Sequence, residues 1–239
     1  MKGNNAATVV ASRKPMTEPA TYGRALDAAC LDDFGLTVDI VRGAIEYTHN
    51  VLDRIDQTLV ESGSDRLASL IELANLSAIV GNLFRGGIAN VSDGAFTANR
   101  PHTFPDLLGT APGTPDIEIK VALEANNPKG HLIKPGPHLI IRYVLADDAG
   151  TFMRGKESRG DVVWIWEVRL GNLEEAHFNF SNTEGDSGKT AVINARGMDS
   201  LSLTFLDTTR CPLAPKGPRM RKLRQLLQTG KPRPGHSRS

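Results

Sequence analysis

Between Thr37 and Leu59 apolar side chains recur at Val38, Val41, Ile45, Leu52, Ile55 and Leu59, with Thr48 keeping the register, in steps of 3, 4, 3, 4, 3 and 4. That is the period of an α-helix with one buried stripe. Thr37 is a residue type that caps a helix N-terminus through its side-chain oxygen, so the helix is expected to begin at Val38. A stripe this regular suits packing along a partner helix, inside the subunit or across a dimer interface, and the intramolecular partner is the commoner solution.

Ser64 and Asp65 open a second helical pattern through Leu67, Leu70, Ile71, Leu73, Leu76, Val80 and Leu83. Apolar residues occupy most of its circumference and leave a narrow polar strip of Asp65, Glu72, Asn75 and Asn82. Such a helix is expected to be largely buried, and a carboxylate on it must be paired, hydrogen-bonded or used to hold a cation. Glu72 is therefore a candidate to lean into a site, with an ordinary salt bridge or partial exposure as the plainer reading.

Past Gly86-Gly87 the period changes from helical to extended. Residues 117–125, 139–146 and 161–170 are rich in β-branched and aromatic residues and separated by Gly, Pro and Asn. Residues 177–182, 190–194 and 201–206 read as further strands, and 219–228 as a short amphipathic helix. Helices first, strands next and a terminal helix last predict an α+β or mixed α/β domain with the sheet packed on the early helices. The expected organisation is a disordered start over 1–20, one domain over 21–209 with a helical part at 21–88 and a sheet part at 89–209, and a C-terminal segment at 210–239.

Composition agrees with a folded, soluble chain: of 239 residues, 40% are hydrophobic and 23% charged. No apolar run approaches the roughly 20 residues of a bilayer span. Two cysteines make neither a disulfide framework nor a zinc site. A cytoplasmic protein without a membrane partner is expected. The net charge of +1 hides an asymmetry: from Arg210 onward there are nine Lys/Arg and no acid, leaving 19 bases against 27 acids, a net of −8, over residues 1–209. A basic segment on an acidic body suits a polyanion partner, because each neutralised phosphate releases counterions. The alternative is a solvated tail.

The chemistry-bearing stretch runs from His102 to Glu124. Pro105-Asp106 is followed, across a Gly/Pro-rich turn, by a strand bearing Glu118 and Lys120. Side chains alternate along a strand, so Glu118 and Lys120 share one face while Ile117, Ile119 and Val121 take the other. If Asp106 ends a neighbouring strand, its carboxylate approaches Glu118, and two carboxylates converging beside an ammonium invite a divalent cation. Oxygen ligands favour Mg²⁺. A second Pro-Asp, Pro115-Asp116, leaves Asp116 open as the first acid, since it shares the face of Glu118. Asp106 is preferred because neighbours two apart on one strand are separated by about 6.5 to 7 Å, and a cross-strand partner comes closer.

This arrangement resembles the PD-(D/E)xK nuclease superfamily, with Pro105-Asp106 as the PD half and Glu118-Ile119-Lys120 as the ExK half, 12 positions apart from Asp to Glu. The resemblance covers residues 65–170 and is most like a type II restriction endonuclease. It implies a restriction-endonuclease-like mixed central sheet flanked by helices, after an N-terminal helical region. It also implies a homodimer that cleaves double-stranded DNA with Mg²⁺. In the implied mechanism Asp106, Glu118 and the Ile119 carbonyl hold the metal, Glu72 is the candidate third acid, and Lys120 positions or helps deprotonate the attacking water. The products would carry a 5′-phosphate and a 3′-hydroxyl. A repair, junction-resolving or nicking nuclease of the same fold is the first alternative; a non-catalytic DNA-binding protein using the basic segment is the second.

Other motifs add candidates of lower rank. Gly185-Asp-Ser-Gly-Lys-Thr190 imitates a phosphate loop, but Thr183 stands where that motif needs Gly and a strand pattern follows. It reads instead as a hairpin turn that brings Lys189, Asn194 and Arg196 to the sheet rim, within reach of DNA. Lys129 and His131, just after the ExK strand, are further DNA-contact candidates. Trp164 and Trp166 share one strand face and are expected in the core.

Overall fold

The computed structural model describes residues 28–100, 103–153, 155, 158–181 and 190–229. The expectations for residues 1–20, for Lys189 and its turn, and for the chain after Thr229 lie outside the described residues.

Helix α1 (Ala28–Asp33) precedes the long α2 (Val38–Glu61), whose first free N–H groups are met as expected: the Thr37 hydroxyl accepts from Ile40 N at 3.2 Å. The stripe Val41, Ile45, Thr48 and Leu52 is buried, joined by Ala44, His49 and Asp56. The second helical pattern does not form one rod. It breaks at Ile71 and Glu72, both extended, into α3 (Leu67–Leu70) and α4 (Leu73–Val91). Asp56 of α2 accepts the Leu67 N–H at 2.9 Å, and Arg66 bridges Asp56 and Asp148, so the start of α3 is pinned to α2. Glu72 sits at the start of α4, exposed. The expectation that it lies on a buried helix is corrected.

Gly86-Gly87 does not end the helix either. Gly87 lies against α2, where an added Cβ would stand 2.9 Å from Ala44 Cα and 3.0 Å from its carbonyl oxygen. The glycine is there to let two helices approach, and the helical gain of continuing to Val91 outweighs its intrinsic cost of about 1 kcal/mol.

The main sheet has four strands in the order β3 (Glu118–Leu123), β5 (Gly136–Ala146), β6 (Val162–Leu173) and β9 (Ser202–Leu206). β3 runs parallel to β5, and the other pairs are antiparallel. Two short strands not foreseen from the sequence, β1 (Phe96–Ala98) and β2 (Leu107–Gly109), pair with each other before it. A third sheet joins β4 (Lys129–Gly130), β8 (Thr190–Ile193) and β7 (Phe178–Ser181).

Alternation along β5 decides what each face of the main sheet does. Leu139, Ile141, Tyr143 and Leu145 join the helical core formed with α1, α2 and α4. On the reverse face, Val144 and Ala146 pack with Trp164 and Trp166 beneath α6 (Pro218–Thr229), which contributes Leu223. Farther along that face, Ile140 packs with Met198 of α5 (Ala195–Ser200) and with Leu173 and Ile193. Both tryptophans are fully buried, as expected, and each indole N–H is used, on the Asp147 and Glu124 carbonyls. The helical and sheet parts thus share one core, and the molecule is mixed α+β. Among the described residues no helix is long and apolar enough to cross a membrane.

Candidate functional site

The Pro105-Asp106 corner is fixed from the β1 side. Asn99 N donates to the Asp106 carbonyl at 2.9 Å, and Asn99 Nδ2 donates to the Pro105 carbonyl at 2.7 Å. Immediately afterwards Leu107 pairs with Ile117 in an antiparallel bridge, exchanging both backbone hydrogen bonds at 2.9 and 3.0 Å. One residue farther out, Asp106 therefore faces Glu118 in the close, non-hydrogen-bonded kind of pair. Asp106 Oδ2 accepts the Ile119 N–H at 2.8 Å, which clamps its carboxylate over the start of β3.

Glu118 is 2% exposed. Its Oε1 accepts from Lys120 Nζ and, at 2.9 Å, from Lys134 Nζ. Its Oε2 is buried with no hydrogen-bond donor. Burial works against ionising Glu118, but Lys120 and then Lys134 overcome it and hold the carboxyl below its ordinary range. Asp106 moves the other way: burial first and the Glu118 charge second push it up, and the Ile119 N–H and Lys120 offset only part. Glu118 is thus the ready anion of the pair. With both acids ionised, Oε2 lacks a partner; a proton on Asp106 or a cation between the carboxyls supplies one.

Two residues of the site were not singled out from sequence. Lys134 is one, and its ammonium also lies 4.5 Å from the Phe104 ring centroid. His138 is the other: it is the β5 register partner of Glu118, 0% exposed, with Nδ1 3.0 Å from the Gly136 carbonyl. A carbonyl only accepts, so Nδ1 carries the proton and Nε2 presents a lone pair, which is buried without a partner. Burial pushes the imidazole below its ordinary value, and Lys120 adds to this, so it stays neutral. The run Lys134-Pro-Gly-Pro-His138 opens β5 and was the available signal, but only the parallel register with β3 brings it to Glu118.

The remaining candidates separate. Asp116 is exposed and accepts the Gly109 N–H at 3.0 Å, so it serves the turn before β3. Glu72, at the α4 N-terminus, is exposed rather than held at the acids. Lys129 and His131 are exposed beside the site: the segment passes so near that a Cβ on Gly130 would lie 3.4 Å from Lys120 Cε. Asn194 is used structurally, as the cap of α5, its Oδ1 accepting from Gly197 N and its Nδ2 donating to the Ala176 carbonyl, both at 2.9 Å. Arg196 is exposed on the same helix.

Among the described residues no group of three or more His, Cys, Asp and Glu side chains is arranged to hold a metal ion. What exists is a pair of acids with one orphaned oxygen, and hard oxygen donors of this kind fit a divalent cation completed by water or phosphate oxygens. Comparison with family models, with curated proteins and with solved structures returned no match.

Proposed function

We propose that the chain is a Mg²⁺-dependent endonuclease of restriction-endonuclease-like fold, acting on double-stranded DNA as a homodimer in the manner of a type II restriction enzyme. The observation that carries this reading is the approach of Asp106 to buried Glu118, with Lys120 and Lys134 on one Glu118 oxygen and no donor on the other. Asp106, Glu118 and the Ile119 carbonyl would hold the ion. Bound there, Mg²⁺ supplies charge neutralisation and polarises a phosphoryl oxygen.

The chain's own groups do the rest. Lys120 lies against Glu118, placed to orient a water for in-line attack and to balance charge building on the phosphate. Lys134 adds a second ammonium. Asp106 would offer its carboxylate to the ion, and the Ile119 N–H steadies that carboxylate. Glu72 has no part in this scheme.

Incubating the purified protein with supercoiled plasmid and Mg²⁺, with and without chelator, tests the proposal. Discrete fragments fit restriction, whereas cutting confined to branched or damaged substrates fits a repair nuclease. Lys120→Ala is expected to lose cleavage and keep DNA binding; normal cutting by that variant overturns the assignment.

One observation favours a second reading, a DNA-binding protein without cleavage. Helix α6 docks through Leu223 and leaves Arg219, Arg221 and Arg224 exposed. A salt-dependent mobility shift with no Mg²⁺-dependent cutting would select it.

A further inference from the structure

The reverse face of the main sheet holds a cavity of about 280 Å³ between β5, β6, α5 and α6. Its polar wall is Arg142, Glu167 and Arg169; its apolar wall includes Leu213, Leu223 and Leu226. Glu167 is fully buried and shared: Arg142 Nη1 donates to Oε2 at 2.7 Å, and Arg169 Nε and Nη2 reach Oε1 at 2.8 Å. One carboxylate against two guanidiniums leaves a positive charge in excess. Burial accordingly holds Arg142 below its ordinary value, with the Glu167 charge opposing.

The excess continues around the cavity. Arg219 spends Nη1 on the Ala125 carbonyl at 3.0 Å rather than on an acid, while Lys222 pairs with Asp199. Four cationic residues against two acidic ones therefore line a largely apolar space. Arg142 Nε donates to the Asn126 carbonyl at 3.1 Å, whereas its Nη2 reaches Asn127 Oδ1 only at 3.5 Å, the limit of a hydrogen bond. Ligand sites commonly combine an apolar wall with a few convergent polar donors, and this volume lies at the small end of their range.

We propose that this cavity binds a small organic anion, its carboxylate or phosphate group meeting the Arg142 and Arg219 donors and its apolar body lying against Leu213, Leu223 and Leu226, while Arg169 stays committed to Glu167 and to the Met198 and Leu201 carbonyls. The inference does not rest on the nuclease reading. Forked guanidiniums suit planar or tetrahedral oxyanions, and an anion here would neutralise the charge that Glu167 leaves uncompensated.

Calorimetric titration of the full chain with phenyl phosphate, benzoate and neutral benzyl alcohol at fixed ionic strength tests it. At least one anion is expected to bind about tenfold more tightly than the alcohol, and the tighter of the two names the head group. Ala195→Trp, at an exposed lining position outside the Arg–Glu network, should fill the mouth, and Arg219→Ala, also exposed, should remove a donor; each is expected to weaken anion binding about tenfold or more. Equal affinity for the anions and the alcohol, or unchanged anion binding in both variants, would overturn the proposal. Circular dichroism of the variants separates loss of binding from loss of fold, and Arg219→Ala, a surface truncation, keeps the test available if Ala195→Trp misfolds.

Discussion

Asp106 faces Glu118 one residue beyond the Leu107–Ile117 bridge, and the pKa values of the two carboxyls are pushed in opposite directions, that of Asp106 above and that of Glu118 below the ordinary range. The asymmetry has a simple cause. Both are removed from water, but the two lysines are bonded to Glu118, whereas burial first and the Glu118 charge second push Asp106 up, and the Ile119 N–H and Lys120 offset only part.

Asp106→Asn follows from this. A raised folded pKa means that the native state holds more protons than the unfolded one between the ordinary 3.8 and the raised value, so this group's contribution falls as pH rises through that window. Removing the ionisable group is expected to leave the metal-free Tm at pH 7 unchanged or higher. A divalent cation at 100 times its Kd should stabilise the wild type by about 2.7 kcal/mol and the variant by nothing measurable. Thermal melts with and without Mg²⁺ or Mn²⁺ check both halves. A lower metal-free Tm for the variant would contradict the electrostatic account.

Glu167 gives the opposite pH dependence. Burial opposes its ionisation, but Arg169 and Arg142 outweigh it and hold the carboxyl below its ordinary 4.5. Its stabilising contribution is fully present above pH 4.5 and is lost as pH falls through the depressed folded value. Glu167→Gln leaves two buried guanidiniums without a counterion and should cost about 3 to 5 kcal/mol at pH 7. Urea melts at pH 7 and pH 3.5 should show the gap between variant and wild type closing in acid.

The adjacent glycines of α4 should respond with opposite signs. At Gly86 an added Cβ meets only Tyr47 Cε1, at 3.9 Å, so Gly86→Ala is expected to gain about 0.5 to 1 kcal/mol from helix propensity. At Gly87 the same methyl stands 2.9 Å from the Ala44 backbone, and forcing α2 and α4 apart should cost about 1 to 3 kcal/mol. Chemical denaturation of the two variants side by side checks the difference.

Asn194→Ala separates capping from DNA contact. Loss of the α5 cap should lower stability by about 1 kcal/mol. DNA affinity, measured well below the Tm, should be unchanged; a large fall in affinity without a fall in stability would restore Asn194 to the sheet-rim reading.

Local patterns were legible wherever one element answers to its own sequence. The Val38–Leu59 stripe, the Thr37 cap, the buried tryptophans and the terminal amphipathic helix all follow from period and residue type. The shared face of Glu118 and Lys120 follows from strand alternation, and the two do pair. The errors arose where a distant group intervenes. Asp56 and Asp148 anchor the start of α3 through Leu67 and Arg66 in a pattern that looks continuous but breaks at Ile71 and Glu72, and Ala44 makes a helix-packing contact of Gly87 in a Gly-Gly pair that looks like a terminator.

For the candidate site, the sequence by itself determined the chemical types: an acid at Asp106, an acid and a base two apart on one strand, and an apolar reverse face. Tertiary structure decided which of them meet. The Leu107–Ile117 bridge selects Asp106 over Asp116, the parallel register of β3 and β5 adds His138, and Lys134 brings a second ammonium to Glu118. Period and propensity are properties of neighbouring residues, whereas register and charge pairing depend on residues from separate strands and loops, and those become neighbours only when the core closes.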